Sequence, residues 1–221
     1  MTLIRVINPN SNQDITDRMA EALALYAQRS GFRIDCATLA EGPAGIASDA
    51  DIENVAMPVA QYVAEDKDAD AFVIACYSDP GLDEARARTD RPVIGMGEAA
   101  IATALALGNR FGVISVSDWS VGRHAQDMAA RQVGSRCAGD RPLGFSVAET
   151  ERANAFDRIA QVARTLREVD GADVLITACA GLSRHLPRLE QAIGVPVVDP
   201  VRAATAMAIG LLTAREAASN G

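Results

Sequence analysis

Short apolar runs alternate with longer amphipathic segments along the chain. LIRVIN, AFVIAC, FGVISV and VLITAC have the length and β-branched content of buried strands. Apolar residues between the runs recur at helical spacing. The first such stripe is formed by Ile15, Met19, Leu23 and Tyr26. Strands separated by helix-length segments predict parallel sheets with helices on both faces.

Capping and turn residues set the predicted element boundaries. Ser11 precedes Asp14 by three residues, which predicts the start of the first helix, and Gly31 predicts its end. Further helices are predicted from Ile52 to Val63, over about 118–131 and about 149–169, and in SRHLPRLEQAI. The stretch QVGSRCAGDRPLGFSV predicts a loop with a short strand.

The most informative pattern is a duplication. ADAFVIACYSDPGL is followed by RPVIGMGEAA, and ADVLITACAGL is followed by VPVVDPVRAAT. In both copies Asp precedes an apolar strand, the strand ends at a cysteine (Cys76 or Cys179), and proline opens the next strand. The sequence therefore predicts an α/β protein of two pseudo-symmetric three-layer α/β/α domains with mainly parallel sheets.

The chain ends in an alanine-rich helix with no strand after it, so we expect this helix to pack on the first half. The predicted first domain comprises 1–97 plus 205–221, and the second comprises 98–204. Ligands of parallel α/β sheets bind beyond the carboxyl ends of the strands. We therefore expect the active site in the cleft between the domains, with sulfur on both walls.

Charge and hydropathy limit the kinds of binding partner that the protein can have. The net charge of -8 and the absence of a Lys/Arg run argue against nucleic acid and anionic membranes. No apolar run approaches the roughly 20 residues that span a bilayer. MTLIRVINPN reads as a strand rather than an export signal, which predicts a cytoplasmic protein. We expect a small-molecule substrate and a homo-oligomer, with no nucleic-acid or membrane partner.

The four cysteines differ in context. In a reducing compartment we expect them to be buried core residues or reactive thiols rather than members of disulfides. Cys76 and Cys179 face the amino end of the next helix, where N–H groups and the helix dipole favour thiolate. Cys36 alternates with Phe32 on one strand face, which predicts a core role. Cys137 lies in an Arg-flanked stretch and is predicted to be exposed.

The sequence lacks the residues that several common cofactors and metals require. Lys67 is the only lysine and lies in an acidic turn, which argues against a pyridoxal phosphate Schiff base. His124 and His185 are far apart in sequence, and no HExxH or CxxC spacing occurs. No GxGxxG or GxxxxGK[ST] follows a strand. We therefore expect neither a metal nor an organic cofactor.

Two thiols without a cofactor suit one kind of reaction. One thiolate removes a proton from a carbon atom on one face of the substrate, and the other thiol donates a proton to the opposite face. Inversion of a stereocentre needs one thiolate and one thiol, whose titrations are coupled and whose roles exchange with the enantiomer bound. The carbanion is held as an enolate by N–H donors directed at the oxygen that gains charge. The backbone after each cysteine is a candidate source of these donors.

Five segments together resemble the hydantoin racemase branch of the aspartate/glutamate racemase superfamily, which includes allantoin racemases: NPNS, ACYSDPGLDEAR, PVIGMGEAA, CAGL and VPVVD. The resemblance implies an aspartate/glutamate racemase-like fold and cofactor-independent inversion at C5 of 5-substituted hydantoins or allantoin. It implies that Cys76 and Cys179 form the acid/base pair. It also implies ligand contacts at Asn8, Asn10, Ser78 and Gly181, with oxyanion donors from the backbone N–H groups of Tyr77, Ser78, Ala180 and Gly181.

The chain departs from the family pattern at Ser78 and Pro200, where glycine is frequent, and at SVSDWS, where a Thr-rich turn is usual. Ser117, with its neighbours Asp118 and Trp119, is expected to line the cleft. Asp79 is favoured as a turn or cap residue over a catalytic one. Glu98 is a candidate for orienting the substrate or for interaction with the helix dipole alone.

Other functions stay open. An aspartate/glutamate-type racemase would use the same thiols on an open-chain carboxylate, and a decarboxylase or cis-trans isomerase of the superfamily would use one thiol. A non-catalytic small-molecule binding module is the alternative from another class. The motif loops carry no arginine, which favours a neutral ring, since a buried carboxylate needs a paired charge. Arg123 and Arg184 lie a few residues beyond these loops and keep the amino-acid racemase open.

Overall fold

The structure is a computed structural model that describes residues 1–146, 149–150 and 155–219. The chain divides into two compact units. Met1–Ala99 and the segment that begins at Val201 form the first unit, and Ala100–Pro200 forms the second. The division from sequence has its boundaries at 97/98 and 204/205.

The first unit is built around a parallel sheet in the order β2-β1-β3-β4. Its elements, in chain order, are β1 (Leu3–Asn8), α1 (Gln13–Ser30), β2 (Arg33–Thr38), α2 (Asp49–Glu65), β3 (Ala71–Ile74), α3 (Leu82–Arg86) and β4 (Val93–Gly95). Helix α4 (Met96–Leu107) begins in this unit and continues into the second. The predicted stripe of α2 is buried in the core of this unit.

The second unit repeats this order in a parallel sheet β6-β5-β7-β8. Its elements are β5 (Phe111–Ser115), α5 (Asp118–Ala130), a 3-10 turn (Gly134–Arg136), β6 (Cys137–Pro142), α6 (Phe156–Glu168), β7 (Val174–Thr177), a 3-10 helix (Ala180–His185), α7 (Leu186–Ile193) and β8 (Val197–Val198). The last helix, α8 (Pro200–Ser219), returns to the first unit, where Thr2 Oγ1 donates to Glu216 at 3.1 Å.

Matching hydrogen bonds show that the duplication is structural. The Asp70 carboxylate accepts the Leu3 N–H at 2.7 Å, and the Asp173 carboxylate accepts the Arg110 N–H at 2.9 Å. The carbonyls of the duplicated prolines, Pro92 and Pro196, each accept one N–H of the neighbouring strand at 2.9 Å. Each aspartate thus ties its strand to the start of the central strand of its own sheet. The predicted fold class is confirmed.

Three local predictions were wrong in detail. Asn12, rather than Ser11, caps α1, because its Oδ1 accepts the Asp14 N–H at 3.0 Å. Cys137 is half-buried at the start of the six-residue strand β6, so it is not an exposed loop residue. The helix predicted over SRHLPRLEQAI is a 3-10 helix followed by α7.

The helix predicted over about 149–169 is observed as α6, which begins at Phe156. Residues 151–154 of that prediction lie outside the described part of the chain. Cys36 lies on β2, an outer strand of its sheet, and is half-buried rather than fully in the core. Among the helices of the described residues, none is long and apolar enough to cross a bilayer.

Candidate active site

The turn after β1 is organised by three asparagines. Asn8 is fully buried, and its Nδ2 group is 3.1 Å from Asn10 Oδ1, 3.1 Å from the Asn12 carbonyl and 3.0 Å from Thr16 Oγ1. Its Oδ1 accepts the Asn10 N–H at 3.2 Å. The side chain of Asn8 therefore shapes the β1–α1 turn from within.

Asn10 lies in the same turn and is 8% exposed. Its Oδ1 accepts the Asn12 N–H at 2.9 Å in addition to the contact with Asn8. No hydrogen bond of its Nδ2 is found among the described residues. The carboxamide oxygen of Asn10 thus holds the turn, and the other end of the carboxamide supplies two donors.

Cys76 follows β3 at the carboxyl edge of the first sheet. The Ala75 N–H donates to the Ile7 carbonyl at 2.8 Å, which extends the pairing of β3 with β1 up to the cysteine. The Cys76 carbonyl then accepts the Asp79 N–H at 2.9 Å. The chain reverses direction over Tyr77, which is buried, and Ser78, which is half-buried. We call residues 76–79 the Cys76 turn.

Asp79 joins the Cys76 turn to α4. Its backbone has φ +47°, a conformation that aspartate and asparagine adopt more readily than most residues. Oδ1 accepts the Gly97 N–H at 2.8 Å, and Oδ2 accepts the Glu98 N–H at 2.9 Å. The carboxylate therefore caps the positive end of α4. This geometry gives Asp79 the structural role that the sequence favours.

Two glycines permit this close approach. A Cβ on Gly95 would lie 2.3 Å from the Asp79 Cγ, and a Cβ on Gly97 would lie 2.0 Å from the Tyr77 carbonyl oxygen. Both distances are too short for carbon in van der Waals contact. The glycines of GMGEAA thus fit the start of α4 against the Cys76 turn.

Glu98 is engaged within its own unit. Its carboxylate pairs with the Arg86 guanidinium and accepts the Gly95 N–H at 3.2 Å. Arg86 Nε also donates to the Val93 carbonyl at 3.0 Å. Glu98 therefore links α3 to the start of α4.

Cys179 follows β7 at the carboxyl edge of the second sheet. The Ala178 N–H donates to the Ile114 carbonyl at 3.0 Å, as Ala75 does to Ile7 in the first unit. The Cys179 carbonyl accepts the Leu182 N–H at 3.1 Å, which matches the closure of the Cys76 turn. Both thiols are half-buried. Ala180 and Gly181 are buried in the positions that Tyr77 and Ser78 occupy in the first unit.

The turn after β5 corresponds to the asparagine turn after β1. The Ser115 carbonyl accepts the Leu143 N–H at 2.8 Å, and the Asn8 carbonyl accepts the Leu39 N–H at 2.9 Å. Ser117 is half-buried and caps α5, with its Oγ accepting the Ser120 N–H at 3.3 Å. We call residues 115–118 the β5–α5 turn. Because β5 adjoins β7, this turn and Cys179 lie at the same sheet edge.

A buried polar network lies beside the β5–α5 turn and was missed from the sequence. His124 Nδ1 is 2.8 Å from Asp140 Oδ2 and 3.0 Å from Ser115 Oγ. Ser115 Oγ also donates to Asp140 Oδ1. The three residues come from β5, α5 and β6. No spacing in the sequence reveals them, because the stretch that contains Asp140 reads as irregular.

The predicted site residues therefore fall into two half-sites. The first sheet edge holds Cys76, Tyr77 and Ser78 beside the turn of Asn8 and Asn10, since β1 adjoins β3. The second holds Cys179, Ala180 and Gly181 beside Ser117. Among the described residues, no group of three or more His, Cys, Asp or Glu side chains is placed to hold a metal ion.

The duplicated parallel α/β fold is that of the aspartate/glutamate racemases. The family model for Asp/Glu/hydantoin racemases matches residues 4–208. The chain belongs to this family, and it is an isomerase of the racemase type.

Named relatives locate the chain within the family. It is 33% identical to a hydantoin racemase of Paenarthrobacter aurescens, over 95% of this chain and 90% of that protein. It is 34% identical to a hydantoin racemase of Rhizobium meliloti, over 98% and 91% respectively. The solved allantoin racemase of Klebsiella pneumoniae superimposes with a TM-score of 0.90 at 26% identity, covering 96% of this chain and 88% of that one. These likenesses assign the chain to the hydantoin/allantoin racemase branch.

Proposed function

We propose that this protein is a cofactor-independent two-base racemase that inverts C5 of 5-substituted hydantoins or of allantoin, with Cys76 and Cys179 as acid and base. The observation that carries the proposal is the equivalent placement of the two thiols. Each follows the third strand of its sheet, and each carbonyl closes the same kind of turn.

The proposed reaction moves one proton in each direction. The thiolate on one face of the ring removes the C5 proton, and the electron pair of the C–H bond passes into an enolate at the adjacent carbonyl. The thiol on the opposite face then donates its proton to C5. The first cysteine ends as thiol and the second as thiolate, so the enzyme is ready for the product enantiomer. The proposal requires the two thiols to meet opposite faces of C5.

The enolate oxygen needs donors that are in place before charge develops. The hydrogen bond that closes the Cys76 turn uses the Asp79 N–H, so the N–H groups of Tyr77 and Ser78 are not part of that closure. The bond that closes the turn after Cys179 uses Leu182 and likewise omits the N–H groups of Ala180 and Gly181. These four groups are the proposed oxyanion donors. Asn8 acts by holding the neighbouring turn, and the Asn10 carboxamide is the proposed donor to a ring carbonyl.

A neutral ring suits these half-sites better than a free amino acid. A desolvated carboxylate requires a paired cation or several strong donors. Neither cysteine turn contains arginine, and the Arg123 guanidinium pairs with Asp127 at 3.1 Å. The relatives named hydantoin racemase and allantoin racemase support the same substrate class.

The substrate is tested with single enantiomers of 5-substituted hydantoins, allantoin, aspartate and glutamate, each incubated in deuterium oxide. We expect a hydantoin or allantoin to lose optical rotation, and the inverted product to carry deuterium at C5 from the first turnovers. At equal concentration, kcat/KM for these rings should exceed that for the amino acids by about a hundredfold or more. Faster inversion of aspartate or glutamate would contradict the hydantoin assignment and leave the two-cysteine chemistry standing.

A further inference from the structure

Ser115, His124 and Asp140 form a buried ionisable cluster that the proposed chemistry does not use. The Ser115 side chain is 0% exposed, and those of His124 and Asp140 are 3% and 6% exposed. Such burial separates the cluster from solvent. The cluster lies beside the β5–α5 turn, at the carboxyl edge of the second sheet.

The two carboxylate oxygens of Asp140 contact different partners. A carboxylate only accepts hydrogen bonds, so both partners of Asp140 act as donors. Ser115 donates its hydroxyl to Oδ1, and His124 donates its Nδ1–H to Oδ2 at 2.8 Å. Asp140 thereby fixes the orientation of the His124 ring by a contact at Nδ1.

The network clamps both ends of a short turn. β5 ends at Ser115 and α5 begins at Asp118, so only Val116 and Ser117 lie between the two elements. Asp140 on β6 holds Ser115 on one side of this connection and His124 in the second turn of α5 on the other. Fixing both ends of a two-residue connection fixes the position of Ser117.

The first unit does the same task without ionisable groups. Asn8 corresponds to Ser115, and its Nδ2 is 3.0 Å from Thr16 Oγ1 on α1. Thr16 Oγ1 is in turn 2.6 Å from Thr38 Oγ1 on β2. In the first unit, neutral side chains thus join β1, α1 and β2. In the second unit, a serine, a histidine and a carboxylate join β5, α5 and β6.

This contrast argues that the ionisable network does more than stabilise the fold. Removing charged groups from water is costly, and replacing a buried ionic set by residues of similar volume is often neutral or stabilising. The first unit shows that neutral groups suffice to join the equivalent elements. What a fully satisfied ionic network adds is a fixed geometry.

We propose that Ser115, His124 and Asp140 are positioning residues that hold the β5–α5 turn, and with it Ser117, Asp118 and Trp119, in place to bind the variable 5-substituent of the substrate. This inference rests on the proposed function. The cysteine turns supply the groups assigned to the ring. The β5–α5 turn supplies a hydroxyl (Ser117) and a carboxylate (Asp118), and Trp119, the residue after the turn, adds an indole. These groups differ enough to distinguish substituents.

The first test separates binding from chemistry with two substitutions of His124. His124→Leu keeps much of the volume and removes both contacts of Nδ1. His124→Asn keeps an N–H donor near the position of Nδ1. We expect His124→Leu to raise KM for hydantoins with large 5-substituents about tenfold while kcat stays within about threefold, the pattern of lost binding that ground and transition states share. His124→Asn should restore KM to within about threefold of the wild type.

A matched control accounts for lost stability. Ile159→Ala removes a fully buried side chain from α6 in the same unit and leaves the network intact. It should lower the melting temperature as His124→Leu does, with KM and the ranking of substituents unchanged. An equal rise of KM in Ile159→Ala and His124→Leu would overturn the positioning role.

The second test does not depend on activity. Backbone hydrogen exchange is measured by mass spectrometry for the peptide that contains the β5–α5 turn. We expect its exchange to rise about tenfold in His124→Leu and to stay at the wild-type rate in His124→Asn and Ile159→Ala. Unchanged exchange in His124→Leu would overturn the proposal. Faster exchange with an unchanged KM would overturn the inference that the turn binds the 5-substituent. Failure of the wild type to invert any hydantoin or allantoin would instead refute the proposed function.

Discussion

Among single residues, the environment of a thiol decides which cysteines can take part in proton transfer. Burial, together with the Asp35 carboxylate, raises the pKa of Cys36 to about 12. Burial, together with the Asp140 carboxylate, raises the pKa of Cys137 to about 11. Both groups are therefore thiols at neutral pH, and neither serves as a base under those conditions.

Alkylation tests this division. Iodoacetamide reacts with thiolate, so at neutral pH we expect it to modify Cys76 and Cys179 and to spare Cys36 and Cys137. Loss of activity should follow the modification of the first pair, as quantified by peptide mass spectrometry, and bound hydantoin should slow both. Cys36→Ala and Cys137→Ala should remain active and equally sensitive. Inactivation in step with modification of Cys36 or Cys137 would contradict the assignment.

Cys36 and Cys137 also make the free energy of unfolding depend on pH under alkaline conditions. Their folded-state pKa values lie above the ordinary value of 9.0, so the fold favours the neutral form. The stability that each contributes is present below about pH 9 and is lost as the pH rises toward its folded pKa, about 11 for Cys137 and about 12 for Cys36.

We therefore expect the melting temperature to fall from about pH 9 upward, and to fall less steeply in Cys36→Ala, where one of the two thiols is absent. Thermal unfolding followed by circular dichroism over this range measures the slopes. Identical slopes in the wild type, Cys36→Ala and Cys137→Ala would show that these thiols do not govern the alkaline transition.

Among the elements, the cap at the start of α4 couples helix geometry to the Cys76 turn. Asp79→Ala removes both acceptors of the Gly97 and Glu98 N–H groups and leaves alanine at positive φ. We expect a loss of about 1–2 kcal/mol in the free energy of unfolding. Because the cap also holds the Cys76 turn, kcat/KM should fall about tenfold or more.

Ser48→Ala is the matched control for this prediction. Ser48 caps α2 by accepting the Asp51 N–H at 3.1 Å, so its removal also costs about 1 kcal/mol of stability. Its effect on kcat/KM should be negligible. Denaturant unfolding gives the free energy of unfolding of both variants, and initial-rate kinetics gives their kcat/KM. Equal kinetic losses in the two variants would show that Asp79 acts through stability alone.

Apolar runs and stripes predicted the strands and helices well, because burial of one face dominates their energetics. The central strands β1, β3, β5 and β7 are buried on both faces and were readily found. The edge strand β6 is half-buried throughout, contains Gly139 and Pro142, and was read as largely irregular. A half-buried strand lacks the continuous apolar run that reveals a central one.

The candidate site was predicted only where its residues are local in sequence. Both cysteine turns follow directly from the duplicated strands. The sequence favoured a turn or cap role for Asp79 but did not identify its partners, the N–H groups 18 and 19 residues away. Ser115 meets Asp140 25 residues away through the parallel pairing of β5 with β6. Such partners depend on strand register, which a single sequence does not specify for parallel strands.

In the whole molecule, the internal symmetry is the strongest support for two-base chemistry. The two sheets have the same order, and aspartate, cysteine and proline fall at equivalent positions in both. An enzyme that inverts a stereocentre needs two proton-transfer groups of similar strength, since either enantiomer is a substrate. The proposed pair, one thiol at the carboxyl edge of each sheet, would meet this need. The turns after the first strands differ, since asparagines shape the turn after β1 and serines lie in the turn after β5.

The most direct test of this account is proton exchange by single cysteine variants. Cys76→Ala and Cys179→Ala are each incubated in deuterium oxide with pure enantiomers of one hydantoin, and C5 exchange and optical rotation are followed together. We expect each variant to fold normally by circular dichroism and to lose racemisation by about a hundredfold or more. Each should exchange the C5 proton of one enantiomer only, and the two variants should differ in which enantiomer that is. Racemisation at the wild-type rate by either variant would contradict the two-thiol mechanism.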